Sequence, residues 1–69
     1  MRVVVIDFGR ERKKINIELG EGKKVKDALE KAGLGCDNRV ILVNGLASGE
    51  GRILKDKDRV AVVFPMTGG

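Results

Sequence analysis

The group best suited to chemistry in this sequence is the carboxylate of Gly69, which follows Thr67 and Gly68. Activating such a carboxylate as an acyl-adenylate requires it to reach a nucleotide inside a partner enzyme. A tail without Cβ atoms can thread a narrow channel and bring its backbone close to the walls. Four residues beyond Pro65, fully extended, span roughly 13 to 14 Å. That length carries Gly69 into a deep pocket while a globular body stays outside. Chain ends are often rich in glycine for no reason beyond fraying. Two glycines therefore say little until the elements before them are read.

Other chemistries are poorly supplied. There is no His, which excludes Ser–His and Cys–His nucleophile pairs and imidazole metal sites. Cys36 is the single cysteine, so the chain holds neither an internal disulfide nor a cysteine zinc site. In a loop after a helix it reads as a small buried hydrophobe. A persulfide relay there would need exposure and a nearby cation, for which Lys31 and Arg39 are the candidates. Gly20-Glu21-Gly22-Lys23-Lys24 lacks the spacing of a phosphate-binding loop and reads as a turn. No cofactor is expected to be bound and no catalytic residue is expected. A deep enzyme cleft enclosed by so short a chain is not expected.

The net charge of +4 permits contact with a nucleic acid or an acidic protein. Base stacking, however, draws on aromatics, and Phe8 and Phe64 both fall in apolar runs that read as core. The charges read as a solvated, sign-mixed surface. The longest apolar run, residues 3–6, is far below the roughly 20 residues that span a bilayer. With no signal-length apolar region at the N-terminus, the expected location is the cytoplasm, away from any membrane.

Sixty-nine residues hold one small domain, whose core contributes only a few kcal/mol of net stability. Residues 1–8 alternate as a strand, with Val4, Ile6 and Phe8 on one face and Val3 and Val5 on the other. Residues 13–19 alternate again, Ile15, Ile17 and Leu19 against Lys14, Asn16 and Glu18. The period then changes. Val25, Ala28, Leu29 and Ala32 fall at i, i+3, i+4 and i+7, one face of a helix of about nine residues, with Gly33 as its stop. Residues 39–43 are a β-branched run ending in Asn44-Gly45, the strongest hairpin signal in the chain. Leu46-Ala47 begins a short return strand, Ile53 and Leu54 read as satellite core, and residues 55–58 are a polar turn. Residues 59–64 form the last strand, which Pro65 ends. The apolar character of both chain ends predicts that the first and last strands pair in the middle of a mixed sheet of four or five strands. One helix covers one face. The class is α+β, with a domain over residues 1–65 and a flexible diglycine tail over 66–69. Residues pointing away from the helix near the tail, Arg59 and Ala61 among them, are candidates for a recognition surface.

In this order the diglycine end gains weight. The chain resembles the ubiquitin-like β-grasp sulfur carriers, namely the thiamine-biosynthesis carrier (ThiS) and the small subunit of molybdopterin synthase (MoaD). The likeness rests on Val40-Ile41-Leu42-Val43-Asn44-Gly45, on Leu54-Lys55-Asp56-Lys57-Asp58-Arg59-Val60 and on Phe64-Pro65-Met66-Thr67-Gly68-Gly69. It covers the whole chain and is most specific in the last sixteen residues. The Asp56-Lys57-Asp58 turn lacks the family's usual glycine, and a single Pro65 stands where molybdopterin-type tails often carry two. The pathway therefore stays open among thiamine, molybdopterin and tRNA thiolation.

The resemblance implies a carrier on which other proteins act. A ubiquitin-activating-like adenylyltransferase uses ATP and Mg²⁺ to place AMP on Gly69. A sulfur donor displaces AMP to leave a thiocarboxylate, with Thr67 and Gly68 as the supporting tail. A thiazole or molybdopterin synthase then accepts the sulfur. Two alternatives stand beside it. One is a ubiquitin-like modifier joined through Gly69 to lysines. The other is a basic β-grasp module that binds RNA, for which a steep salt dependence of affinity would be the sign.

Overall fold

The computed structural model describes residues 1–8, 12–34 and 39–63. Strand β1 (Arg2–Asp7) pairs antiparallel with β2 (Lys13–Glu18), Val5 opposite Ile15. Helix α1 (Val25–Lys31) follows, then the hairpin of β3 (Val40–Val43) and β4 (Leu46–Ser48), then β5 (Arg59–Val63). The sheet order is β2-β1-β5-β3-β4. β5 lies parallel to β1, with Val5 beside Val60, and antiparallel to β3, with Val43 opposite Val60. The first and last strands thus meet at the centre, as their apolar sequences predict. The predicted strand end at Phe64-Pro65, the tail over 66–69 and Cys36 lie outside the described residues.

Period-2 alternation decides which side each strand residue faces. Val3, Val5, Ile17, Ile41, Val43, Val60 and Val62 turn to one side and are buried with Val25, Ala28 and Leu29 of the helix and Leu54 of the following loop. The helix is held at both ends by its own sequence. The Asp27 carboxylate accepts the Lys24 backbone N–H at 2.9 Å, and as a first-turn anion it also suits the helix dipole. At the other end Gly33, with φ of +79°, lets its N–H reach Glu30 and the Leu34 N–H reach Leu29. Those two bonds are the Schellman pattern, which needs a left-handed residue there. The regular part is seven residues, shorter than the apolar spacing suggests, because Ala32 already belongs to the cap.

Two residues expected inside are outside. Phe8 is 48% exposed: it continues the alternation of Val4 and Ile6 onto the side that no helix covers. Ile53 is 59% exposed, because its bridge to Lys24 turns the neighbouring Leu54 into the core instead. Of the expected pair only Leu54 is core.

Candidate functional site: the open face of the sheet

The uncovered side of the sheet carries the alternate residues of its central strands. Val4 and Ile6 of β1 lie beside Arg59 and Ala61 of β5, and Ala61 lies opposite Leu42 of β3. All but Arg59 are half-buried. Ile6, Phe8, Leu42, Ala61, Asn44 and Arg59 border a shallow, mainly apolar hollow of about 530 Å³. Arg59 also borders a second hollow of about 480 Å³, where Arg2 and Lys57 stand with Glu18 and Asp56. An apolar centre with a charged border is how protein-docking surfaces are built. The ion pair at that border, Arg2 Nε to Glu18 Oε1 at 3.5 Å, is solvent-exposed and contributes little to stability.

This face adjoins the place where the chain leaves β5. The Phe8 N–H donates to the Val62 carbonyl at 3.0 Å, so the end of β1 lies against the end of β5. Gly69, Gly68 and Thr67 lie outside the described residues. Arg59 and Ala61 are placed on the open face as the alternation predicts. Ile6, Phe8 and Leu42 complete it, and their signal was the pairing of the central strands rather than any motif.

A polar tether fixes one border of this face. Asn44, at φ +52°, and Gly45, at φ +85°, make the two-residue turn between β3 and β4. Both angles are the left-handed values that an Asn-Gly hairpin turn uses. The Asn44 side chain crosses to the start of β5. Its Nδ2 donates to Asp58 Oδ1 at 3.0 Å, and its Oδ1 accepts the Arg59 N–H at 3.0 Å. Asp58 Oδ2 in turn accepts the Lys55 N–H at 2.7 Å. Asp58 is the buried charged residue among those described. Burial pushes its carboxyl up, but the Lys55 N–H, the Asn44 amide and the positive fields of Arg52 and Lys55 outweigh it. The carboxyl titrates below its ordinary value.

The unfolded chain takes up this proton at higher pH than the fold does. The stability that Asp58 contributes is complete above about pH 5, where the unfolded carboxylate is ionised, and is lost as pH falls through its folded value. Urea midpoints of the wild type and Asp58→Asn are therefore expected to converge from pH 6 to pH 3. A difference that stays constant with pH would show that the charge of Asp58 does not matter.

Among the described residues no group of three or more His, Cys, Asp or Glu is placed to hold a metal. No described helix is long and apolar enough to cross a membrane.

The fold and open face define a ubiquitin-like β-grasp protein. The ThiS family model matches residues 5–69, and the chain belongs to the ThiS family. No curated protein matches its sequence. SAMP1 from Haloferax volcanii is similar in structure, with a TM-score of 0.79 at 20% identity over all of both chains. A ubiquitin-like protein from the hyperthermophilic archaeon Caldiarchaeum subterraneum has a TM-score of 0.64 at 13% identity, covering 99% of this chain and 100% of that one. A Caldiarchaeum subterraneum ubiquitin has a TM-score of 0.67 at 14% identity, covering 100% of this chain and 98% of that one. At these identities the structures share the fold.

Proposed function

We propose that this chain is a sulfur carrier whose Gly69 carboxylate is activated and thiolated by partner proteins in the cytoplasm. The observation that carries the reading is the family match, which runs through Gly68 and Gly69. In the first step the carboxylate oxygen attacks the α-phosphorus of ATP, held with Mg²⁺ by an adenylyltransferase, and pyrophosphate leaves. A persulfide sulfur then attacks the acyl carbon and expels AMP. Reduction of the remaining S–S bond by a thiol leaves the thiocarboxylate, whose sulfur passes to an acceptor synthase. The sulfur serves thiamine, molybdopterin or tRNA thiolation.

In this reading the open face docks on the activating enzyme and aims the tail at the nucleotide. The body need supply no acid, base or metal, because the partner holds the phosphates and stabilises the developing charge. The test is ATP–pyrophosphate exchange with the cognate enzyme. Ala61→Glu puts a carboxylate in the middle of the apolar hollow, and a centre-of-interface loss of about 2 kcal/mol lowers kcat/KM roughly thirtyfold. The expected variant is folded and poorly activated. Wild-type kcat/KM in a folded Ala61→Glu protein would remove the open face from the reading.

The modifier remains the second reading. It uses the same activated Gly69 and the same ubiquitin-like body, with a lysine amine in place of the sulfur donor.

A further inference from the structure

We propose that Asn44-Gly45 is a self-modification site, a spontaneous deamidation point that the tether to Asp58 holds shut. Asn44 is the one asparagine of the chain followed by glycine, whose missing side chain leaves the next backbone nitrogen unhindered as a nucleophile. The residue is exposed, so water has access to it. Gly45 has open space around it, with nothing within 4 Å of where a Cβ would stand.

The chemistry needs no added reagent. The Gly45 backbone nitrogen attacks Asn44 Cγ, the Cγ–Nδ2 bond breaks, and ammonia leaves with the proton from the attacking nitrogen. Water then opens the five-membered imide at either carbonyl, giving aspartate or isoaspartate. In sum, one water is consumed and one ammonia released.

The fold opposes each of these movements. Ring closure requires Cγ to swing toward Gly45, but both polar atoms of the amide are fastened to the start of β5, Nδ2 to Asp58 and Oδ1 to the Arg59 N–H. The departing nitrogen also needs a proton donor, whereas its neighbour is a carboxylate that only accepts. The Lys55 N–H fixes that carboxylate in turn, so Asp58 cannot follow the amide as it moves. The site therefore reacts from the opened turn, and its rate counts openings.

Reaction is a one-way event. An acid formed at position 44 places its oxygen where Nδ2 stood, 3.0 Å from Asp58 Oδ1, and two carboxylates repel at that distance. Isoaspartate adds a methylene to a two-residue turn that sets Val43 opposite Leu46. The tether cannot close again over either product. Since Asn44 and Gly45 border the apolar hollow, the new charge also lands on the open face, whichever partner uses it.

Trypsin releases residues 40–52 as a peptide with Asn44 as its only asparagine, so mass and retention time report this site alone. The full chain, folded or in denaturant, is aged at pH 8 and mapped over time. Two hydrogen bonds to the amide are expected to make the folded chain about ten- to a hundredfold slower than the denatured chain. Equal rates would overturn the proposal. Asp58→Ala, checked for folding by circular dichroism, is expected to move toward the denatured rate. A folded Asp58→Ala protein that ages as slowly as wild type would contradict the role of Asp58. If that variant does not fold, Asp58→Leu keeps the size of the side chain, accepts no hydrogen bond and faces the same comparison. Asn44→Asp, which stands for one product, is expected to unfold at lower denaturant than Asn44→Gly, which takes the left-handed backbone without strain and carries no carboxylate. The reverse order would refute the claim that the tether cannot re-close.

Discussion

Removal of Gly69 is expected to abolish adenylation and leave folding unchanged. Every core residue described lies at or before Val62, and β5 makes its ladder contacts through Val63. The truncated chain should therefore unfold at the wild-type urea midpoint. The new terminal carboxylate, on Gly68, stops one residue, about 3.5 Å, short of the activated phosphorus. Near-attack geometry tolerates far less than that: about 1 Å of misplacement can cost a hundredfold in rate. Pyrophosphate exchange in the truncated chain should fall to background. Exchange at the wild-type rate would mean that the carboxylate of Gly69 is not the reacting group.

Leu29→Ala is expected to have the largest effect on the body. Leu29 is fully buried, on the face of α1 that it shares with Val25 and Ala28. Leucine-to-alanine changes in cores cost about 2 to 5 kcal/mol. A domain of this size holds only about 3 to 5 kcal/mol in total. The substitution thus consumes most or all of the margin, and circular dichroism at 25 °C should show a largely unfolded chain. If Leu29→Ala keeps a cooperative transition near the wild-type midpoint, the helix is not the keystone of the core.

The contrast between these two substitutions shows what can be read from the sequence. Leu29 and its partners Val25 and Ala28 were legible because helical spacing is local, and so were Val3, Val5, Val60 and Val62 by alternation. The central pairing of β1 with β5 followed from apolar residues at both ends of so short a chain. Phe8 and Ile53 were not legible as exposed. Alternation gives the face of a residue, but whether that face is covered depends on how far a seven-residue helix reaches. The tether from Asn44 to Asp58 was hidden for another reason. Each residue was visible as part of a turn, but they are fourteen apart, and only the antiparallel pairing of Val43 with Val60 brings the turns together. In the candidate site, Arg59 and Ala61 were assigned to the right face, while Ile6, Leu42 and Phe8 joined them only through strand order. The expectation for Gly69 rests on its chemistry and the family likeness, and Gly69 itself lies outside the described residues.

The modifier reading has its own signature. Trypsin cuts after Arg59 and finds no Lys or Arg beyond it, so a conjugated lysine would keep the whole 60–69 branch. A search for the short diglycine remnant would miss such conjugates, and only a search for the ten-residue branch is informative.

The most direct measurement is the intact mass of the protein isolated from its native host under reducing, amine-free conditions. A carrier includes a species heavier by the replacement of one oxygen with sulfur, and fragmentation places that change on Gly69. The account predicts this species. Finding only the carboxylate form, together with the 60–69 branch on lysines of other proteins, would contradict it.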